Sequence, residues 1–454
     1  MTKIVRVFLV IPLLSFAQIA CSQDQPTPPN TGGFLPQGEL ASFSVLPPPL
    51  YWTTYEYCYT HDDFIPENVW MKNVDWAATR LKPLGYDMIV TDGWIYADTA
   101  VTADGYIAKY NNSWQSDWAS WSKILAQKGL KLGVYYNPLW IQPKAYSQNN
   151  RILGTESTIQ QIAGIRRSKS KYERYWIDPS KPGAKEYVQG YVKYFKAMNV
   201  KLLRIDFLSE FENEYGSANY NKALGWIREA AGKDLLLSLV MPNAYKVAAT
   251  EIKYGNMMRV SEDTFQGGWS ALSERYRGRF FPIWPSLRNA FDGFVYFSSV
   301  SGKNRMLLDG DALRLNTFAN DIERKTAIIL YTMAGSPIPV ADQIDTIGSS
   351  LKFYANPELL ELTRSWFVGR PLHAALGDID NERWIGRTQD GHWIFAFFNR
   401  DNIPRRFTID FRQELGVTTQ EPLHDLWKHE DLPPQTSFSA TLAPHDSMIM
   451  KVGK

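Results

Sequence analysis

The chain contains very few cysteines, which restricts how it can be stabilised. Only two of its 454 residues are cysteine, Cys21 and Cys58. If Cys21 is modified, as its context predicts below, no partner remains for an intramolecular disulfide, although an oxidising compartment would permit one. A chain of this length must then draw its stability from a large apolar core. We therefore expect Cys58 to be a buried, small apolar residue.

The chain also lacks an excess of charge of either sign. Lysine and arginine number 49, and aspartate and glutamate number 47, which gives a formal net charge of +2. Lys3 and Arg6 account for that excess, so the rest of the chain is balanced. Proteins that bind nucleic acid usually carry a basic patch or stripe. The composition provides no such footprint, and we expect no nucleic-acid partner.

Several motifs that bind phosphate or metal, or that activate a serine, do not stand out either. There is no glycine-rich phosphate loop, no calcium-loop pattern and no Ser-His-Asp arrangement. His61 lies beside Asp62 and Asp63 in "YTHDDFIP", but no second ligand cluster is spaced for zinc. A loop that shapes a rim or caps a helix is the favoured interpretation. We expect no metal and no cofactor.

The apolar run at the amino terminus is too short to span a membrane. The segment "MTKIVRVFLVIPLLSFAQIAC" has two positive charges, then an apolar stretch, then small residues before Cys21. A spanning helix needs about 20 apolar residues, whereas this layout is typical of a secretory signal peptide. The position of Cys21 resembles a bacterial lipoprotein cleavage site. An ordinary signal peptide with a chance cysteine is the alternative.

These features predict export. We expect a signal peptide over residues 1–20, lipidation of Cys21, and a flexible tether rich in proline and glycine over residues 21–40. The protein would then be a periplasmic or outer-membrane surface lipoprotein. Its only contact with the membrane would be the lipid anchor.

Aromatic residues, in contrast, are abundant. They make up 14% of the chain and include 16 tryptophans. Sugar-binding sites often use aromatic platforms, but a large aromatic core would explain the same composition. Composition alone therefore does not decide between a carbohydrate site and a structural role.

Short apolar runs alternate with helix-like stretches from about residue 45 to 345. Stretches such as "WASWSKILAQKG" have helical periodicity and end at glycine or asparagine, as helices tend to. This alternation predicts a (β/α)8 barrel over residues 41–347. The eight predicted strands lie in "PLYWTTYEY", "YDMIVTDGW", "KLGVYYNP", "KLLRIDFL", "LLLSLVMP", "NMMRVSED", "RMLLDGD" and "AIILYTMAG".

The pattern changes after about residue 350. Short runs of alternating polarity, such as "RRFTIDF" and "SFSATLAPHDSMIMKV", are separated by turn residues. This pattern of short alternating runs predicts an antiparallel β-sandwich. We place it at residues 348–454, packed against the barrel.

Polar residues recur where the apolar runs end. In a barrel, the carboxyl ends of the strands meet at the catalytic face. Helix capping would explain one such residue, but five in matching positions are harder to explain in this way. The five are Asp92, Asn137, Asp206, Asn243 and Asp263.

Two of these acids have the character that glycoside hydrolysis requires. One carboxylate attacks the anomeric carbon, and a second carboxyl group protonates the leaving oxygen. Burial or a neighbouring carboxylate can raise the pKa of the second group so that it keeps its proton. Asp206 and Asp263 are the candidates. Arg204 lies two residues before Asp206 and so on the same face of the strand, where a buried ion pair is the structural alternative.

The order of the motifs resembles the α-galactosidase-like glycoside hydrolases of family 27 and their clan D relatives. "GYDMIVTDGW" is similar to the family's second-strand motif, "LLRIDFL" to the fourth, "MMRVSEDTF" to the sixth and "AGSPIPVADQ" to the eighth. "LHDLWKHEDL" and "LAPHDSMIM" resemble the sandwich. The resemblance covers roughly residues 45–452.

The resemblance implies a retaining, exo-acting glycosidase that releases a terminal α-D-galactose-like sugar from an oligosaccharide or polysaccharide. It implies Asp206 as the nucleophile and Asp263 as the acid/base. For the seventh strand, Asp309 is preferred over Asp311 as the acid that lines the pocket. The implied substrate-binding residues are Trp52, Asp92, Trp94, Arg204, Arg259 and Asp309.

The chain departs from the family at two of these positions. Thr91 stands where the family has an aspartate that reads the far edge of the sugar, and a hydroxyl is a weaker acceptor than a carboxylate. Arg204 replaces a lysine, which exchanges a compact ammonium for a planar fork. Weak discrimination at C6 is therefore expected, and a β-L-arabinopyranosidase is the alternative. A non-catalytic carbohydrate-binding surface lipoprotein is a further alternative, which the presence of both Asp206 and Asp263 disfavours.

Overall fold

The computed structural model describes most of the chain beyond residue 46. The described residues are 47–92, 99–167, 173–240, 248–264, 266–275, 280–281, 286–302, 306–372 and 379–453. The predicted signal peptide and tether, Cys21, Trp94 and Asn243 lie outside them, so the hypotheses about these residues stay predictions. Over the described residues, no helix has both the length and the apolar character that crossing a bilayer requires.

The described strands are numbered in chain order. They are β1 (Leu50–Thr53), β2 (Met88–Val90), β3 (Lys131–Tyr135), β4 (Trp140–Ile141), β5 (Ala163–Arg166), β6 (Tyr175–Ile177), β7 (Val200–Ile205), β8 (Leu236–Leu239), β9 (Met257–Arg259), β10 (Phe280–Phe281), β11 (Ser286–Leu287), β12 (Leu307–Asp309), β13 (Ile338–Val340), β14 (Arg370–Pro371), β15 (Arg383–Arg387), β16 (Trp393–Phe398), β17 (Arg405–Asp410), β18 (Glu421–Asp425), β19 (Glu430–Gln435), β20 (Ser437–Leu442) and β21 (Ser447–Val452).

The described helices follow the same numbering. They are α1 (Tyr55–His61), α2 (Glu67–Trp76), α3 (Trp118–Gln127), α4 (Pro143–Gln148), α5 (Ile159–Ile162), α6 (Ala184–Ala197), α7 (Leu208–Ala231), α8 (Ala249–Tyr254), α9 (Gly268–Ser273), α10 (Ala290–Tyr296), α11 (Asp321–Ala334), α12 (Pro357–Arg364) and α13 (Phe411–Leu415). A π-helical turn at Ala77–Leu81 continues α2, and short 3-10 turns lie at Lys82–Leu84, Ser298–Val300, Leu315–Thr317, Gly348–Ala355 and Ile379–Glu382.

Eight parallel strands form the barrel, in the order β12–β9–β8–β7–β3–β2–β1–β13. The two ends of this order meet just beyond β12, where Leu313 pairs in parallel with Val340. The Leu313 N–H donates to the Pro339 carbonyl, and the Ala341 N–H donates to the Leu313 carbonyl, each at 2.8 Å. The predicted (β/α)8 barrel is confirmed.

Seven of the eight predicted strands are present, and one prediction is wrong. The run "AIILYTMAG" belongs to α11, whereas the eighth strand is β13, within the stretch that resembles the family's eighth-strand motif. A continuous apolar run is typical of a buried helix as well as a buried strand. The caps distinguish the two, because Asn320 accepts from the Glu323 N–H at the start of α11 and Gly335 ends it with a left-handed backbone.

Alternation along the barrel strands separates an apolar floor from a charged layer above it. The side chains that fill the lower barrel form one apolar cluster, made of Tyr51, Met88, Val90, Leu202, Leu236, Met257 and Leu307. Two positions further along the same strands, on the same face, the chain places charged residues. These are Asp92, Arg204, Arg259 and Asp309.

One departure from the βα repeat lies between β3 and α6. There the chain builds a small antiparallel sheet in the order β4–β6–β5, which the sequence did not predict. Its Trp140 ring lies 6.1 Å from the Trp176 ring and 5.5 Å from the Phe207 ring, measured between centroids. The insertion therefore packs beside the carboxyl end of β7.

Near the first strand, the structure settles two smaller predictions. Cys58 is buried, as predicted, and burial raises the pKa of its thiol to about 12. Helix α1 ends at His61, and Asp62 forms its cap with a left-handed backbone. The helix-cap interpretation of "YTHDDFIP" is confirmed.

The C-terminal β-sandwich is also confirmed. A six-stranded sheet, β14–β15–β16–β21–β18–β19, faces the pair β17–β20 across a separate apolar core that includes Phe395, Phe407 and Met450. The opposite face of the larger sheet contributes Trp384 and Phe398 to the main core of the barrel. The sandwich is thus packed directly against the barrel.

A buried ion pair joins the two parts. Arg400, just beyond β16, places Nη1 2.8 Å from Oδ1 of Asp292 in α10, and both side chains are under 10% exposed. Its Nε donates to the Ser273 carbonyl at 2.9 Å, and its guanidinium lies 4.2 Å from the Phe291 ring centroid. If one partner of such a pair is removed, the other is left as a buried, unpaired charge, which destabilises the fold.

Replacing Asp292 with alanine should lower the free energy of unfolding by about 3–5 kcal/mol, because it leaves Arg400 as an uncompensated buried charge. Urea titration followed by tryptophan fluorescence would measure the change. Asp321→Ala is the control, since this acid is 56% exposed in its ion pairs and its loss should cost no more than about 1 kcal/mol. Equal losses for the two variants would contradict a structural role for the buried pair.

Candidate active site

Arg204 is the centre of the charged layer and binds three carboxylates. Its Nε lies 3.1 Å from Asp92 Oδ2, its Nη1 2.7 Å from Asp309 Oδ2, and its Nη2 2.8 Å from Asp311 Oδ1. Burial alone would lower the pKa of Arg204, but the charges of Asp92 and Asp309 outweigh burial and raise it well above its ordinary value. At 4% exposure, Arg204 lies beneath the pocket and supports three acids.

Asp206 occupies the next position on this face and is partly exposed. Tyr135 Oη donates to Asp206 Oδ2 at 2.8 Å, and the Phe207 N–H donates to Oδ1 at 2.6 Å. Asn137 Nδ2 donates to the Asp206 carbonyl at 2.6 Å. The described contacts of Arg204 do not include Asp206, so the ion pair that their spacing allowed is not formed. The carboxylate is instead oriented toward the pocket by uncharged donors.

The backbone immediately after Asp206 is strained. Phe207 has φ of 62°, a left-handed conformation that is uncommon for bulky residues and tends to occur at functional sites. The Arg167 guanidinium lies 3.8 Å from the centroid of the Phe207 ring. Glu210 holds that guanidinium through contacts of 2.8 and 3.2 Å. Packing therefore maintains the conformation that directs the Phe207 N–H onto Asp206.

Asp263 lies beyond β9 with its side chain 30% exposed, and its Oδ1 is 2.5 Å from Arg259 Nη1. Burial raises the pKa of Asp263 to about 6, Arg259 opposes that rise, and the charges of Asp311 and Asp206 add to it. Because Asp206 and Asp263 follow parallel strands of the barrel, both carboxyl groups lie at the same end of it. A carboxyl group with such a pKa is suited to donate a proton.

Arg259 has hydrogen-bonding capacity that the described protein does not use. Its side chain is 2% exposed, and Nη1 also lies 3.3 Å from Asp311 Oδ2. Nε and Nη2 are buried, and neither has a hydrogen-bond partner among the described residues. Buried donors without partners are unfavourable by about 1–3 kcal/mol each. The role predicted for Arg259, binding a sugar hydroxyl, stays a prediction.

The remaining predicted acids lie in the same cluster, in different settings. Asp92 is 8% exposed in its contact with Arg204, close to the pocket surface. Asp309 is fully buried and binds Arg204 from below. Asp309 therefore supports the site from behind, although the sequence favoured it as a pocket-lining acid.

Trp52 is turned away from the pocket, and its predicted role as a wall of the site is wrong. Tyr51 points into the barrel, so the next residue of β1 points outward. Trp52 is 0% exposed, and its Nε1 donates to the Asp342 carbonyl at 3.0 Å. The ring fills the layer between strands and helices.

The alternation of side chains along a strand also corrects the expected role of Thr91 in sugar recognition. Asp92 belongs to the inward face, so Thr91 turns outward and is fully buried. Its Oγ1 accepts from the Tyr135 N–H at 3.3 Å. This arrangement excludes a direct contact between Thr91 and a sugar hydroxyl, so the hypothesis that Thr91 sets the discrimination at C6 is wrong.

Sequence reasoning missed two residues of the site. Tyr135, which holds Asp206, lies on the inward face of β3 and two residues before Asn137, so its parity could have identified it. Asp311 was passed over for Asp309, although the two are two residues apart in "LLDGDA". Which of two neighbouring acids contacts a given arginine depends on the backbone between them.

Comparison with known proteins agrees with this geometry. Residues 378–452 match the alpha galactosidase C-terminal beta sandwich domain family. Over 431 residues the chain is 42% identical to the isomalto-dextranase of Arthrobacter globiformis, covering 89% of this chain and 67% of that protein. The solved structure of that organism's T6 isomalto-dextranase, complexed with panose, matches with a TM-score of 0.87 at 40% identity over 91% of this chain and 74% of that one.

A family 27 β-L-arabinopyranosidase from Geobacillus stearothermophilus has the same fold, with a TM-score of 0.74 at 20% identity over 92% of this chain and 99% of that one. The barrel, the sandwich and the paired carboxyl groups thus define a clan D glycoside hydrolase. The chain belongs to the α-galactosidase-like glycoside hydrolases of family 27.

Replacing Tyr135 with phenylalanine should lower kcat roughly 10- to 100-fold, because a hydrogen bond to a charged group contributes about 1.5–3 kcal/mol. The rate of glycoside hydrolysis at substrate saturation would measure the loss. Tyr136→Phe is the matched control, because its hydroxyl contacts Gln142 at 3.3 Å on the other side of the strand. Similar losses in both variants would argue against a specific role for the bond between Tyr135 and Asp206.

Proposed function

We propose that the chain hydrolyses α-1,6-linked glucans of the dextran type and releases isomaltose with retention of anomeric configuration. The observation that carries this proposal is the 42% identity to an isomalto-dextranase across 89% of the chain. The galactosidase and arabinopyranosidase relatives share only about 20% identity and support the fold alone. Release of galactose or arabinopyranose therefore becomes a competing outcome of the test.

In the first step, an Asp206 oxygen forms a bond to the anomeric carbon while the bond from that carbon to the glycosidic oxygen breaks. Asp263 gives its proton to the departing oxygen. In the second step, water attacks the same carbon, its proton passes to Asp263, and the ester bond to Asp206 breaks. Two inversions give net retention, and both carboxyl groups return to their starting states.

Release of a disaccharide requires space for two sugar units on the non-reducing side of the cleaved bond. Phe207 is a partly exposed aromatic residue directly beside Asp206, and the insertion of β4, β5 and β6 packs against it through Trp140. We place the second sugar unit near this insertion.

The proposal is tested by incubating the purified protein with dextran, panose, 4-nitrophenyl α-D-galactopyranoside and 4-nitrophenyl β-L-arabinopyranoside. Chromatography would identify the products, and proton NMR would identify the anomer formed first. We expect isomaltose as its α-anomer from dextran, with much slower release from the two aryl glycosides. Preferential cleavage of either aryl glycoside would overturn the glucan assignment, and binding of dextran without hydrolysis would favour a carbohydrate-binding protein.

Asp206→Ala should abolish turnover, since no covalent intermediate can form without the carboxylate. Azide added to this variant should restore cleavage of an activated α-glucoside, because the small anion fits the space left by the side chain. The product should then be the β-glycosyl azide, which NMR distinguishes. Asp87→Ala, at an acid paired with Lys131 at the other end of the barrel, should keep full activity. Rescue with an α-configured azide would contradict the role of Asp206.

Asp263 should control the alkaline side of the pH profile. With its pKa raised to about 6, the protonated acid is present below that pH and is lost as the pH rises through it, so kcat/KM should fall above about pH 6. Asp263→Ala should remove this limb and should slow substrates with poor leaving groups more than aryl glycosides with good ones. Equal losses for good and poor leaving groups would show that Asp263 is not the acid.

We also propose that the protein is exported and anchored by lipid on Cys21. The support is the order of Lys3, Arg6, the apolar stretch and Cys21 at the amino terminus. Cells expressing the full chain should incorporate radiolabelled palmitate into it, and Cys21→Ser should abolish the label. Equal labelling of the two proteins would contradict the proposal.

A further inference from the structure

Asp311 occupies a position that the two-carboxylate mechanism does not use. It is fully buried, and its Oδ1 lies 2.8 Å from Arg204 Nη2. Its Oδ2 lies 3.3 Å from Arg259 Nη1 and accepts from the Thr264 N–H at 2.9 Å. Thr264 directly follows Asp263. One carboxylate therefore contacts the arginine beneath the pocket, the arginine bound to Asp263, and the backbone next to Asp263.

The backbone holds Asp311 in this place at some cost. Its φ is 73°, in the left-handed region that non-glycine residues rarely adopt. Its N–H donates to Asp309 Oδ1 at 2.9 Å. The Tyr331 hydroxyl, from α11, lies 2.6 Å from the Gly310 carbonyl and 3.1 Å from the Asp311 carbonyl. Strained conformations persist where the surroundings enforce them, and they cluster at functional sites.

Asp311 and Asp263 share one cation. Arg259 Nη1 is 2.5 Å from Asp263 Oδ1 and 3.3 Å from Asp311 Oδ2, so the charge of Arg259 is divided between the two acids. Asp311 also adds its own negative charge near Asp263. Both effects disfavour the ionised form of Asp263.

The other groups that face Asp263 come from separate elements. Asp206 follows β7, and its charge acts on Asp263 in the same direction as that of Asp311. Tyr55 from α1, which is partly exposed, and Tyr135 from β3, which is buried, each have a pKa that the charge of Asp263 helps to raise. Among the described groups, Asp311 is distinguished by touching both arginines and the backbone amide that follows Asp263.

We propose that Asp311 is a positioning residue that keeps Asp263 in its proton-donating form, by sharing Arg259 with it and by holding the Thr264 amide. The inference rests on the proposed role of Asp263 as the acid. Asp309 provides a matched comparison. It is equally buried and also binds Arg204. It lies opposite Arg259 in the β12–β9 pair, but its carboxylate has no described ion pair with that arginine.

The test compares kcat/KM against pH for the wild type, Asp311→Asn and Asp309→Asn on an α-glucoside. Without the Asp311 charge, and with Arg259 returned to Asp263, the Asp263 carboxylate is stabilised and loses its proton at a lower pH. The alkaline limb of Asp311→Asn should therefore move about one pH unit toward acid, whereas that of Asp309→Asn should stay near the wild-type position. An unmoved limb in Asp311→Asn, or an equal movement in Asp309→Asn, would overturn the inference.

Thermal unfolding would show whether each variant folds. Asp311→Ser is a second variant for the case in which Asp311→Asn does not fold. The serine hydroxyl still accepts a hydrogen bond from an arginine, and it places no amide N–H against the arginine donors. Tyr331→Phe removes only a hydroxyl and loosens the Asp311 backbone, so it should move the limb in the same direction by a smaller amount. If neither Asp311 variant folds and Tyr331→Phe leaves the limb in place, the inference is wrong.

Failure of the inference is distinguishable from failure of the proposed function. If Asp263→Ala keeps the alkaline limb on an activated aryl glycoside, Asp263 is not the acid, and both proposals fall. If Asp263→Ala removes the limb while Asp311→Asn leaves it in place, the acid assignment stands and only the role of Asp311 is rejected.

Discussion

The contact between Arg204 and its three carboxylates is the constraint on which the rest of the site depends. A guanidinium that is 4% exposed is stable only if its charge is compensated and its donors are matched. Three carboxylates provide that match: Asp92 just beyond β2, Asp309 at the end of β12 and Asp311 just beyond it. Arg204 itself belongs to β7, which is adjacent to neither β2 nor β12 in the sheet. The network therefore joins the barrel across its interior and sets the height at which the pocket begins.

Above this network, the protein separates two carboxyl groups by their surroundings. Asp206 is oriented by a tyrosine hydroxyl and a backbone amide, whereas Asp263 is paired with an arginine that it shares with Asp311. Different environments for two chemically equivalent groups are how one pocket obtains both a nucleophile and an acid. The apolar floor beneath excludes water and strengthens these electrostatic effects. Phe207 and Asp311 both have strained, left-handed backbones. Phe207 directs its N–H toward Asp206, and Asp311 places its carboxylate against the arginine that binds Asp263.

The sequence anticipated the barrel because the alternation of strands and helices is a local signal, repeated eight times. It anticipated Asp206 and Asp263 as members of one cluster because strand ends in a barrel must converge, whereas Arg259 was implied by the family resemblance. It failed at "AIILYTMAG", where an apolar run fits a buried helix as well as a strand. It also failed to foresee the antiparallel insertion of β4, β5 and β6, which follows no repeat.

By itself, the sequence determined the layers and the charged positions at strand ends, since these follow from periodicity and residue type, and the order of its motifs indicated the family. Only the tertiary structure decided which side chains meet. Trp52 and Thr91 face outward because successive side chains of a strand point alternately into and out of the barrel. An error of one residue in placing the strand therefore exchanges the inward-facing and outward-facing side chains. Asp311 reaches both arginines, and Asp309 only one, because a left-handed turn at residue 311 redirects the chain. That turn is stabilised by Tyr331, twenty residues further along the chain.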